Sequence, residues 1–381
     1  MIGLVENFGL DFLNFRLPYA YYLKSLGYEV MAILPEDSFV ERVRESGLHV
    51  QTYKLKKNSL DPISLFICVR QFKRMRKSFS INMVHAFRLQ PNIAACLAFA
   101  FSSKTQVVAH ITGLGYAFSS RSIKSLFYRV AILFLYQISL LFAHKIVVQN
   151  SSDFKLLSRL LFIRPRLRLI ESSGIDCIKF SRKNAEPHFV KSLKRRIEHA
   201  DGQKVVTFTG RLLREKGILE FLEAARRISD SGLSVKFVIA GWLDKNNPSC
   251  ISQTELEEYL INKNIVYLGM IHEITELLYL SDIFVLPTYR EGFPRSVLEA
   301  MSMSLPVSTS NVPGASDAVT HGDNGLLTEP RNTDSLINAI LYLLNNKEIA
   351  TTMGSLGRNR VEAMYKNEII YNKFVQLYKI N

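Results

Sequence analysis

Residues Ile283–Gly314 read IFVLPTYREGFPRSVLEAMSMSLPVSTSNVPG, and this stretch decides the fold. The run IFVLPT is short, apolar and suited to a buried strand. Glu291-Gly292-Phe293-Pro294 then makes a tight passage. Arg295–Met303 follows with helical spacing, and Pro294 stands near its first turn, where proline is well tolerated. A further short run, Pro306–Ser308, completes a strand–helix–strand unit of the kind that builds parallel sheets.

The alternation continues in both directions. Toward the amino terminus the spacing predicts strands at Val205–Thr209, Val235–Ala240 and Ile265–Leu268, with helices at Ile218–Ser229, Thr254–Lys263 and Ile274–Leu280. Toward the carboxyl terminus it predicts helices at Asp334–Asn345, Ile349–Tyr365 and Glu368–Lys379. The first half repeats the pattern more faintly, with strands at Ile2–Glu6, Glu29–Leu34, Ile81–Ala86, Gln106–Ile111, Lys145–Gln149 and Leu167–Glu171 and a helix at Leu17–Leu26. A chain of 381 residues exceeds what one hydrophobic core organises. The expectation is therefore an α/β protein of two Rossmann-like domains with parallel sheets, residues 1–173 and 174–365. Ser172–Asp176 would be the linker, and a final helix over 366–381 could cross back to the first domain.

Composition narrows the chemistry. The four cysteines form no C-x-x-C pair and the eight histidines show no metal-ligand spacing. No D-x-D pair occurs, which argues against a divalent cation gripping a sugar nucleotide. With no cleavable signal at Met1, the expected compartment is the cytoplasm, with reduced thiols. Charge is unevenly placed: 23 Lys+Arg face 10 Asp+Glu through Ser173, against 25 and 24 after it. A basic half beside a neutral half implies docking to something anionic.

Two segments of the basic half suit a membrane surface. Cys68–Phe79 interleaves Arg70, Lys73, Arg74, Arg76 and Lys77 with Val69, Phe72, Met75 and Phe79. Val130–Ala143 is almost wholly apolar but too short to span a bilayer, so it is a buried or an interfacial helix, the buried one favoured. No nucleic-acid motif accompanies the basic stripe.

The residues able to do chemistry lie in two loops of the second half. Gly292 removes bulk where a ligand approaches the backbone, and the helix start beyond it favours an anion such as a diphosphate. Glu291 precedes that helix, and Glu299, eight residues on, is expected about two turns down it. One carboxylate would serve each end of a nucleotide sugar. In Gly210–Gly217, GRLLREKG, Arg211 and Lys216 can both reach a phosphate and neutralise a leaving diphosphate in place of a metal.

GRLLREKG together with EGFPRSVLEAMSMSLPVSTSNVPGASDAV resembles the E-x7-E retaining glycosyltransferases of the GT-B fold, family 4, over essentially the whole second half. The resemblance implies two facing Rossmann-like domains. It assigns the diphosphate to Arg211 and Lys216, the ribose hydroxyls to Glu299 and the donor sugar to Glu291. The amides of Gly292, Phe293 and the neighbours of Pro294 would contact sugar or phosphate, and Met270–Glu273, Ile271 among them, would edge the base. In the first domain, Gly9 stands where the family approaches the donor phosphate, and His110 is the foremost candidate for its active-site histidine, ahead of His85. NFRLP (Asn14–Pro18), TGLG (Thr112–Gly115) and NPSC (Asn247–Cys250) are similar to a narrower branch, the bacterial transferases extending undecaprenyl-diphosphate-linked sugars. Membership implies transfer of a HexNAc, GalNAc or GlcNAc, from a UDP-sugar that is a co-substrate, with no other cofactor and no metal. The enzyme would act as a peripheral protein on the anionic inner face of the cell membrane. Alternatives are a UDP-sugar 2-epimerase of the same architecture, a transferase acting on a lipopolysaccharide core, and a non-catalytic scaffold.

Overall fold

The computed structural model describes residues 1–56, 61–115, 118, 123–245 and 247–378. Contacts divide the chain into two units, Met1–Gly174 with Glu368–Asn381, and Ile175–Asn367.

The first unit is built on seven parallel strands: β1 Ile2–Val5, β2 Val30–Pro35, β3 His49–Tyr53, β4 Met83–Phe87, β5 Gln106–Ile111, β6 Lys145–Val148 and β7 Leu167–Leu169. Their order is β3-β2-β1-β4-β5-β6-β7, so the winding reverses between β1 and β4. Helices α1 (Pro62–Ser78), α2 (Leu89–Phe99) and α3 (Ile123–Ser139) share one apolar core with the sheet. The start of α1 is fixed locally: Pro62 opens it and the Asp61 carboxylate accepts from the Ser64 amide at 2.9 Å.

The second unit has six parallel strands: β8 Lys204–Thr209, β9 Val235–Ala240, β10 Ile265–Tyr267, β11 Ile283–Leu286, β12 Val307–Ser310 and β13 Leu326–Thr328. Their order is β10-β9-β8-β11-β12-β13, with the reversal between β8 and β11. Strands covered on both faces read as unbroken apolar runs. VKFVIA in β9 is buried throughout, and its one cation, Lys236, donates to the Lys263 carbonyl at 2.9 Å. Helix α4 (Ile218–Asp230) follows β8, and α5 (Arg295–Ser302) follows β11. The last helix, α6 (Asn367–Tyr378), lies almost entirely in the first unit, where Tyr22 donates to Asn372 at 2.6 Å and Tyr19 packs on Tyr371. The expected extension of that helix to Lys379 lies outside the described residues.

The structure corrects the expectation for Val130–Ala143. The described helix already covers Ile123, seven residues earlier, and continues as a 3-10 turn through Phe142. Ser125–Phe142 is long and apolar enough to cross a membrane, yet only 28% of it is buried. Ile132, Tyr136 and Leu140 face the core, while Phe127, Val130 and Phe134 are exposed. Arg129 does not end the helix; its guanidinium lies 5.8 Å from the centre of the Phe118 ring. One side of the helix is fixed to the protein core, which leaves the other open to solvent or lipid.

Candidate active site

Ligands of open parallel sheets bind beyond the carboxyl ends of strands where the winding reverses. In the second unit those ends belong to β8 and β11, and the two loops singled out in the sequence leave from them. A Cβ on Gly217, whose φ is +74°, would stand 1.9 Å from the Pro287 carbonyl oxygen, so the loops touch through backbone. The Tyr289 amide donates to the Glu215 carbonyl at 2.8 Å, and the Glu291 amide to the Pro313 carbonyl beyond β12 at 3.0 Å.

These contacts bring Lys216 against Glu291. The Lys216 ammonium lies 2.6 and 2.8 Å from the two oxygens of the Glu291 carboxylate, with the side chains 23% and 10% exposed. At that burial the pair is screened far less than a surface ion pair. Arg211 pairs instead with Asp244 in the loop after β9, at 3.1 Å. The two cations expected to hold a phosphate are thus each held by a carboxylate.

Glu299 departs from expectation. Helix α5 begins only at Arg295, because Pro294 holds a non-helical ψ of 98° at the N-cap. Glu299 is therefore just over one turn into the helix, not two, and Arg295 donates to it at 3.0 Å. Proline supplies no side-chain cap to that first turn. Gly292 is half-buried, whereas the Phe293 ring packs on Tyr365 at 5.1 Å between centres, which leaves Phe293 only its backbone to offer a ligand. Ile271 is half-buried against the cluster of Leu193, Val205 and Leu277.

Gly9 and His110 belong to the first unit. The amide of Gly9 already donates to Asp37 at 2.8 Å, and a Cβ there would lie 2.5 Å from the same carboxylate. The close packing of Asp37 and Phe39 leaves no space for a side chain at this position. His110 is fully buried at the end of β5, with its Nδ1 3.2 Å from His85 Nε2 and no partner for its own Nε2 among the described residues.

Around it is a charged cluster that the sequence does not announce. NFRLP overlaps a π-helical turn, Phe12–Arg16, which turns Arg16 inward. Its guanidinium meets the buried Glu6 carboxylate at 3.1 Å and lies 3.6 Å over the Phe87 ring. Arg88 follows β4 with φ +71°, a strained value for a residue with a side chain. Its Nε is in ionic contact with Glu6 at 3.1 Å without hydrogen-bond alignment, and its Nη2 donates to Asp11.

Burial holds the His85 imidazole well below its ordinary pKa, with Arg16 adding to the effect; for His110 the causes are burial, then His85, then Arg16. Both rings stay neutral in the folded chain, whereas the unfolded chain takes up protons below about pH 6.5. Stability contributed by these groups is complete above pH 6.5 and lost as pH falls. Urea midpoints should drop between about pH 7 and pH 5.5, less steeply in His85→Gln; identical slopes would contradict the assignment.

Residues 190–360 match the family described as Glycosyl transferases group 1, and residues 4–150 match Glycosyl transferase 4-like. Anabaena Alr3699/HepE in complex with UDP and glucose superposes with a TM-score of 0.81, over 100% of this chain and 99% of that one, at 18% identity; this is a likeness of fold. Over 99% of its length the chain is 30% identical to the N,N'-diacetylbacillosaminyl-diphospho-undecaprenol alpha-1,3-N-acetylgalactosaminyltransferase of Campylobacter jejuni, covering 98% of that protein.

The chain belongs to the GT-B glycosyltransferases.

The transferase is also 26% identical, over 76% of its length, to the UDP-Gal:alpha-D-GlcNAc-diphosphoundecaprenol alpha-1,3-galactosyltransferase of Escherichia coli, covering 72% of it. Sequence reasoning missed Glu6, Arg16 and Arg88 in this transferase because paired buried charges leave no local pattern.

Proposed function

We propose that the transferase moves a HexNAc from a UDP-sugar to a polyprenyl-diphosphate-linked sugar, with retention of configuration and without a metal ion. The Lys216–Glu291 pair at the β8/β11 reversal carries this reading. Lys216 and Arg211 exchange their carboxylates for the donor diphosphate and neutralise it as the sugar–oxygen bond breaks. Glu291, freed from Lys216, receives the donor sugar, and Glu299 the ribose. The backbone of Gly292, Phe293 and the first turn of α5 meets sugar or phosphate, and Ile271 borders the base. The acceptor hydroxyl attacks the face from which the diphosphate leaves, and the departing phosphate takes its proton. His110 contributes a hydrogen bond to the transfer. Both named relatives support the acceptor class, since their names specify sugars joined to undecaprenol through a diphosphate.

The test is a screen of UDP-, GDP- and ADP-sugars against polyprenyl-diphosphate sugars, using enzyme dialysed against chelator, with the product anomer read by NMR. An inverted anomer, or turnover only after metal is restored, defeats the mechanism. A new nucleotide sugar made without acceptor would indicate an epimerase.

The same reading places the first unit on an anionic membrane. Support comes from the exposed apolar face of α3 and from Ile63 and Phe66, exposed on α1. Beside them Arg70, Lys73, Arg74, Arg76 and Lys77 line a cleft of about 490 Å³ with Phe101, which is 91% exposed. None of the five cations is paired with a carboxylate among the described residues. Each is worth about 1 kcal/mol near an anionic leaflet, so Lys73→Ala/Arg74→Ala should weaken binding to phosphatidylglycerol vesicles roughly 30-fold. Binding equal to wild type, or indifferent to salt, would remove this surface from the proposal.

A further inference from the structure

Four residues far apart in the chain make one line of hydrogen bonds inside the first unit. The Tyr19 hydroxyl donates to the Tyr378 hydroxyl at 2.8 Å. The Tyr378 oxygen lies 2.6 Å from His85 Nδ1, and His85 Nε2 lies 3.2 Å from His110 Nδ1. Phe374 and Phe87 flank both imidazoles. The line ends at His110 Nε2, which is buried and without a partner among the described residues. A buried donor left unmade costs about 1–3 kcal/mol and calls for an explanation.

Counting protons along the line fixes its direction. Tyr378 accepts from Tyr19, so its single proton is available for His85 Nδ1. A neutral His85 that accepts at Nδ1 carries its proton on Nε2 and donates it to His110 Nδ1. His110, neutral as well, must then carry its proton on Nε2.

We propose that Tyr378 and His85 are positioning residues that hold His110 in its Nε2–H form, making it a hydrogen-bond donor to the substrate and not a base. The partner this suits is a sugar hydroxyl or phosphoryl oxygen, an acceptor carrying at least one free lone pair. Only the link from the tautomer to turnover rests on the reading of His110 as a group of the reaction.

The test is NMR of the full-length enzyme labelled with ¹⁵N-histidine, beside steady-state kinetics. In the wild type, His110 should show a protonated Nε2 and a bare Nδ1. Tyr378→Phe keeps the ring but removes the proton that fixes His85, so His110 should become a mixture of tautomers. Its kcat should fall roughly 10–100-fold with KM little changed, the range for partners that orient a site group. Tyr19→Phe removes a neighbouring hydroxyl but leaves Tyr378 able to donate, and should keep the tautomer. His85→Gln, whose amide both accepts and donates, should restore the Nε2–H form where His85→Leu loses it. A wild-type His110 protonated on Nδ1, or a tautomer unmoved by Tyr378→Phe, overturns the proposal. A shifted tautomer with unchanged kcat overturns the positioning role while leaving the Lys216–Glu291 reading untouched.

Discussion

Glu291→Gln is expected to lower kcat by roughly 10²–10³-fold, the size of effect seen when one preorganised electrostatic group is removed. The carboxylate is 10% exposed and sits where β11 ends, so its charge acts in a medium of low polarisability. In the proposed mechanism, departure of the diphosphate leaves positive charge on the sugar ring, and the carboxylate would stabilise that charge more than the neutral ground state. Glutamine keeps the shape, and its carbonyl can still accept from Lys216. The melting temperature, measured alongside, separates chemistry from folding. Turnover near wild type, measured with saturating donor, would take Glu291 out of the reaction.

Gly217→Ala is expected to destabilise the second unit by about 3–5 kcal/mol. Left-handed backbone accounts for about 1–2 kcal/mol of this, because φ is +74°. The remainder is steric: a Cβ 1.9 Å from the Pro287 carbonyl oxygen forces the β8 and β11 loops apart. Gly232 supplies the control, with φ +79° but nothing within 4 Å of its Cβ, so Gly232→Ala should show the conformational penalty alone. Chemical denaturation of the two variants measures the difference. Equal losses would mean that the loops can part without penalty.

Legibility in the sequence followed burial. Strands sandwiched between helices carry unbroken apolar runs, and β5 and β9 were readable to the residue. Edge strands are covered less completely and lose that signal: β3, HVQTY, has an exposed histidine and two half-buried polar residues, and it went unpredicted along with β13. The helix Pro187–Arg196 was also missed, since it buries little beyond Leu193. The loop motifs of the candidate site could be read because their residues are neighbours in sequence. That Lys216 lies on Glu291, 75 residues away, could not. Nor could the Tyr378–His85 contact, which spans 293 positions.

The sharing of α6 with the first unit has a consequence for biosynthesis. Tyr371, Phe374 and Tyr378 fill space beside Tyr19 and His85, so the amino-terminal half lacks part of its interior until the codons of α6 have been translated. The middle of the chain, Ile175–Asn367, has all its own parts sooner and can mature while its predecessor waits on the ribosome. A nascent chain stalled before Asn367 would expose an unfinished aromatic seam around Tyr19 and His85.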